Sequence, residues 1–273
     1  MKKFLLGSAA LAAMIAGPAM AADMYVKAPP PPPPPAYYDW SGAYLGFNIG
    51  STWYDVDRTF LAGPTPGFPG NPNFTTSDSD GIYGFHAGAQ WQWGAWVLGA
   101  EAALSGCFRE CRSVSGTLPV NAGFLPNTFG EHKMTNLFTA GGRLGYAWDR
   151  WMIFATGGWA SADLKAAYCN SLTGTCDGPA QAFASGASRN SGWYAGGGFD
   201  WMVHRGALVD VILGVEYQHY DVGGENAFCF NPGCNPVNLN DYNLSAKGDL
   251  VRARLTFKTQ GYGFLWGGPA PAY

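Results

Sequence analysis

Charge is scarce in this chain. Asp, Glu, Lys and Arg together make up 13% of its 273 residues, against roughly 25% in an average soluble domain. A soluble fold so poor in charge would need a very large core to hide the rest. The formal net charge is only −3, which excludes the basic surface that nucleic acid demands. Long apolar runs are also missing. After residue 21 nothing approaches the ~18 continuous apolar residues of a membrane helix. Catalytic signals are thin: there are 4 histidines, no serine at a convincing spacing from one of them, and no glycine-rich phosphate loop between a strand and a helix. No cofactor or metal is expected.

Aromatics and glycine are abundant, at 15% and 39 residues. Low charge, many aromatics and no helical span point to strands that alternate apolar and polar residues, with one face in lipid.

The N-terminal residues 1–21 have the parts of a secretory signal peptide: Lys2 and Lys3, an apolar stretch from Phe4 to Ile15, and Ala19-Met20-Ala21 as a cleavage site. Residues 22–39 contain APPPPPPPA, an extended polyproline arm unable to pair in a sheet. It is expected to lie in the periplasm, within reach of peptidoglycan or a protein partner. From Trp40 a period of two sets in. It is sharpest over 207–220 and 250–258, where Val251, Ala253, Leu255 and Phe257 alternate with Arg252, Arg254, Thr256 and Lys258.

Eight such segments occur, at about 40–54, 81–93, 95–104, 135–147, 151–164, 191–203, 207–220 and 244–258. The gaps alternate long and short. Short ones centre on Gly94, Asp149 and Arg205, while long ones are rich in Gly, Pro, Asn and Ser. The expected fold is therefore all-β: an eight-stranded antiparallel up-and-down transmembrane β-barrel over 40–258, with short periplasmic turns, long extracellular loops and a tail over 259–273. Trp40, Trp91, Trp93, Trp96, Trp148, Trp151 and Trp201 cluster beside the short turns or at the start of the first strand. They are expected, with Phe257, to line the lipid–water interface, and Trp53, Trp159, Trp193 and Tyr220 the opposite rim.

The segments YDWSGAYLGFNIG at 38–50 and FATGGWA at 154–160, together with the Pro-rich arm, resemble the small outer-membrane immunogenic proteins of alphaproteobacteria, of the Omp25/RopB type. The resemblance implies a small eight-stranded barrel in the outer membrane, with a role in envelope integrity and surface antigenicity. Family members usually finish on the last barrel strand; this chain continues after Phe257 through TQGYGFLWGGPAPAY.

Three groups of residues invite a functional reading. By parity Glu101, Arg143, Asp200, Asp210, Glu216, Arg252 and Arg254 point into the barrel, joined by Asn48, His86, Gln90 and Gln92. They form either a sealing network or an ion path, and the cost of unpaired buried charge favours sealing. Six cysteines fall into three close pairs: Cys107 with Cys111, Cys169 with Cys176, and Cys229 with Cys234. Each pair lies within a different long gap. An exported chain normally oxidises its cysteines, and short spacing favours local closure over cross-loop bridges. A metal site is the weaker rival. Of the histidines, His86 is expected in the lumen, His132 in a loop, His204 in a turn and His219 near the outer rim, close to Asp221 and Glu225.

The expected function is a structural, non-enzymatic barrel that displays disulfide-closed loops. A narrow porin-like channel or haem-type surface receptor is the alternative, and a lipid-modifying enzyme built on His219 the second. Expected partners are outer-membrane lipid, lipopolysaccharide and, during biogenesis, the barrel-assembly machinery.

Overall fold

The computed structural model describes residues 38–60, 73–117, 127–170, 175–176, 186–227 and 242–260. Among them there are only strands and turns: β1 (Gly42–Phe60), β2 (Phe74–Trp93), β3 (Trp96–Cys107), β4 (Arg112–Thr117), β5 (Thr128–Trp148), β6 (Trp151–Asn170), β7 (Thr175–Cys176), β8 (Gly186–Arg205), β9 (Val209–Ala227) and β10 (Tyr242–Thr259). All pairings are antiparallel. β1 pairs with both β2 and β10, and β5 with β6, so the sheet closes on itself.

The ring has eight places for ten segments. β3 pairs with β5 as far as Gly106↔Asn136, and β4 resumes the same side of β5 at Arg112↔Lys133. The two are one strand interrupted at residues 108–111. β7 pairs with β6 at Cys169↔Cys176, just beyond the point where β8 pairs with it at Ala166↔Gly186.

Tight turns join the strands at the periplasmic end. Gly94 has φ +57° in the Gly94–Ala95 turn, a conformation open to glycine without cost. Asp149 takes φ +55° in the next, which a short polar side chain tolerates. Inside the narrow ring, a Cβ on Gly46 would stand 2.5 Å from the His86 ring, and one on Gly88 2.5 Å from the Tyr44 hydroxyl. These glycines make room for the large side chains opposite.

The strands reach further outward than the lipid-facing alternation implied. β1 continues to Phe60, β2 begins at Phe74 and β5 at Thr128, so parts of the expected long loops are strand. The reason lies in the pattern itself. Along the outer wall of β10, Phe257, Leu255, Ala253 and Val251 are followed by Asp249, Lys247, Ser245 and Asn243; along its inner wall, Lys258, Thr256, Arg254 and Arg252 are followed by Leu250, Gly248, Ala246 and Leu244. The alternation persists, but its sense reverses at Val251. β1 does the same: Leu45, Phe47 and Ile49 face out, and then Trp53 gives way to Asp55 and Asp57 outside while Tyr54 and Val56 turn in. A lipid-facing barrel with a polar interior thus passes into a water-facing barrel whose interior is built around an apolar cluster, with Arg58, Thr76, His132 and Asn190 also buried there. The apolar part holds Tyr54, Val56, Met134, Leu164, Tyr220 and Leu244, all buried in one cluster.

Candidate functional site: the sealed lumen

All eight places of the ring contribute to one buried polar layer at membrane depth. Glu101 of β3 accepts a hydrogen bond from the Tyr44 hydroxyl of β1 (2.9 Å) and ion pairs from Arg254 (2.5 Å), Arg143 (3.4 Å) and Arg252 (3.6 Å). Glu216 of β9 receives Arg252 at 2.9 Å and also Arg254, and Gln218 donates to it at 2.7 Å. Arg143 of β5 also bonds Asp200 of β8. From β6 comes the Phe154 ring, with the Arg143 guanidinium 3.7 Å above its centre. From β2 comes His86, hydrogen-bonded to Thr256 at 2.8 Å.

Three arginines therefore meet Glu101, Glu216 and Asp200, and all six side chains are at least nine-tenths buried. Charges this deep persist only when paired and hydrogen-bonded. Asp210, expected in the same set, sits nearer the periplasm and pairs with Lys258 at 3.0 Å. Lys258, Tyr44 and Phe154 join the lumen beyond the residues that parity singled out. The Lys258 side chain shares the parity of Arg252 and Arg254, so its signal is present, on the same face beyond Thr256.

Two apolar layers flank the charges. The outer one is the cluster around Tyr54 and Leu244. The periplasmic one holds Trp40, Val97, Ala147, Met152, Met202 and Ile212. Trp40 is thus not an interface aromatic. It is 0% exposed and closes the mouth. Its backbone N–H donates to Gln92 Oε1 (2.7 Å), its carbonyl accepts from Gln90 Nε2 (2.7 Å), and its indole N–H donates to the Asp149 carbonyl (3.4 Å). Because it precedes β1 by two residues, its chain is free to fold under the ring, and burying the whole indole is more favourable than leaving it at the rim. Tyr220 also turns inward, fully buried, with its hydroxyl 3.2 Å from Thr52 Oγ1.

The remaining rim residues lie outside. Trp91, Trp93, Trp96, Trp148 and Trp201 are exposed, as is Phe257, and Trp151 is half-buried against Trp201 with ring centres 5.1 Å apart. Trp91 stacks on Trp93, and Trp96 meets Tyr146 edge-on. Trp53, Trp159 and Trp193 mark the opposite boundary.

The cysteines divide by place. Cys107 and Cys111 form a disulfide. It closes the interruption between β3 and β4 in the barrel wall, not a loop tip. Cys169 is disulfide-bonded and faces Cys176 in strand register. Cys229 lies outside the described residues. Cys234 lies outside the described residues as well. The third local disulfide expected between Cys229 and Cys234 is therefore no part of the described barrel. The arm over 22–37 and the tail beyond Gln260 also fall outside it.

Two of the four histidines depart from their expected surroundings. His132 is not in a loop. It lies on β5, buried inside the water-facing half, with Nδ1 2.9 Å from Thr76 Oγ1. Burial, aided by the charge of Arg58, lowers its pKa to about 3. His204 is not in the turn but on β8, exposed and paired in register with Val211 of β9. His219 is outward-facing and bonds Asp249 at 2.9 Å. Neither Asp221 nor Glu225 is its partner in that bond.

A closed antiparallel ring with a lipid-facing apolar belt, two aromatic girdles and a buried polar interior defines a transmembrane β-barrel of the outer-membrane kind. The comparisons agree. The family described as "Outer membrane protein beta-barrel domain" matches residues 9–248, and the chain belongs to it. The chain is 30% identical over 237 residues to the 31 kDa outer-membrane immunogenic proteins of Brucella melitensis and Brucella suis, covering 83% of this chain and 89% of theirs. Among solved structures, OprG of Pseudomonas aeruginosa aligns with 81% of this chain and 97% of its own at 13% identity, with a TM-score of 0.46. The protein is an outer-membrane β-barrel.

Proposed function

We propose that this protein is a structural, non-conducting and non-enzymatic barrel that reinforces the outer membrane and presents disulfide-closed outer segments for surface recognition. The observation that carries this reading is the stacking of three seals in the lumen: the apolar layer around Trp40, the balanced arginine–carboxylate layer, and the apolar layer of the water-facing half. An ion path needs continuous water, and each layer interrupts it. The immunogenic character named for the Brucella relatives supports display at the surface. Lipopolysaccharide around the wall, the barrel-assembly machinery during insertion and an envelope component at the Pro-rich arm are the partners this role implies.

Planar-bilayer recording of the refolded barrel tests the reading. A silent bilayer from protein with heat-modifiable migration is the expected result. Steady unitary currents would replace the structural role with a channel.

A further inference from the structure

Just above the lipid-facing belt, the outer wall bears a groove of about 420 Å³ that crosses β2, β1, β10 and β9. Its walls include Trp53, Asp55, Asp78, His219, Lys247 and Asp249, with Ser77 and Ser79 beside them. On β1, β9 and β10 these side chains face away from the lumen, because the residues alternating with them are buried inside; on β2, Ser77, Asp78 and Ser79 are all exposed. The register aligns them in two rows. Ser77, Asp55 and Lys247 form one; Ser79, Trp53, Asp249 and His219 form the row below it. Val251 and Tyr217 of the lipid-facing belt come next on β10 and β9.

This position is at the level of the Trp53 and Trp193 indoles, which is the headgroup level of the outer leaflet. The groove's groups are also held in place. Asp249 Oδ1 accepts from the Tyr217 hydroxyl (2.5 Å) and pairs with His219 Nδ1 (2.9 Å), while His219 packs 5.6 Å from the Trp193 ring. Asp55 Oδ1 accepts from Ser77 Oγ (2.5 Å). Each carboxylate engages its Oδ1 in these bonds and keeps further acceptor capacity. Trp53 is half-exposed beside them.

The chemistry selects the occupant. A phosphate would meet Asp55, Asp78 and Asp249 with only Lys247 and His219 in compensation, and Lys247 already leans on Asp57 at 3.9 Å. A hydrocarbon tail would leave the carboxylates desolvated. A sugar ring suits all the groups at once: hydroxyls donate to Asp55 and Asp249 and accept from Lys247, while the C–H face of the ring lies on the indole of Trp53. We propose that this groove seats a neutral sugar ring of an outer-leaflet glycolipid headgroup.

Native mass spectrometry of the full refolded chain, released from nanodiscs of phosphatidylcholine with added glucosyl diacylglycerol or phosphatidylglycerol, tests this. The wild type is expected to retain the glucosyl lipid in preference to phosphatidylglycerol. Trp53→Leu and the pair Asp55→Asn/Asp249→Asn should each lower its retention by about tenfold, with heat-modifiable migration unchanged. Trp53→Phe, which keeps an aromatic platform, should preserve most of it and covers the case that Trp53→Leu folds poorly. Equal retention of the sugar lipid by wild type and the folded variants overturns the proposal. So does preferential retention of phosphatidylglycerol, which would make Lys247 and His219 a phosphate seat instead.

Discussion

The carboxylate of Asp80 on β2 accepts the backbone N–H of Cys111, at 3.1 Å, across the turn that interrupts the third place of the ring. The same oxygen accepts the N–H of Arg109 at 2.9 Å, and the group is buried. Glu110 and Cys111 take positive φ, 61° and 42°, a region costly to side chains other than glycine. Asp80 therefore holds the backbone in the form that brings Cys107 and Cys111 together. Asp80→Asn exchanges a charged acceptor for a neutral one, with an expected local loss of about 1–3 kcal/mol. Reduction of Cys107–Cys111 by dithiothreitol, followed by maleimide labelling, should become faster in the variant. An unchanged labelling rate would separate Asp80 from the disulfide.

The lumen network should behave as a unit. Glu216→Gln leaves Arg252 and Arg254 short of one negative charge in a dry interior, and a loss of about 3–5 kcal/mol is expected. Adding Arg252→Gln restores the balance, so the double variant should be more stable than Glu216→Gln alone. Urea midpoints followed by tryptophan fluorescence give the comparison. Simple additivity of the two losses would contradict a shared network.

The two apolar seals and the charge layer should also be separable. Trp40→Ala empties the periplasmic mouth and is expected to cost about 3–5 kcal/mol. Conductance should stay at zero, because the arginine–carboxylate layer remains. Currents in this variant would show that Trp40 alone closes the lumen.

His132 gives a pH signature outside the membrane. Its folded pKa, about 3, lies below the ordinary 6.5, so below pH 6.5 the unfolded chain takes up a proton that the folded chain refuses. The stability from neutral His132 is full above 6.5 and is lost as pH falls from there toward 3, with a slope of at most about 1.4 kcal/mol per pH unit. His132→Asn removes that slope. Urea midpoints between pH 7 and pH 4 should fall less for His132→Asn than for wild type; parallel curves would refute the assignment.

Much of this architecture is legible in the chain, and for physical reasons. In 252–258 a polar residue recurs at every second position, and a strand with Val251, Leu255 and Phe257 on one side has nowhere to put Arg252 and Arg254 except the inside. That logic reaches most of the lumen network. It follows the water-facing half along β10, where the expected segment already begins at residue 244, but stops short on β1, because Asp55 and Asp57 outside Tyr54 and Val56 carry the same period with opposite sense, and the change looks like the end of a strand. The role of Asp80 is hidden because its partners are backbone N–H groups, which no residue type announces. Trp40 is misread because nearness to a turn looks the same for a ring lying in lipid and for one folded beneath the barrel. Spacing pairs the cysteines but does not place them: Cys107 and Cys111 mend a barrel wall, while Cys229 and Cys234 stand outside the described strands.

The reversal of dress at Val251 and Trp53 acts as a waterline. Raising the barrel by one outward-facing row would leave Val251 in water and draw the periplasmic girdle of Trp91, Trp93, Trp96 and Trp148 from the interface into hydrocarbon. Lowering it would draw Asp55, Lys247 and Asp249 into hydrocarbon. With both displacements opposed, the barrel has a single resting draught, and whatever it carries at its outer end is held at a constant height above the cell.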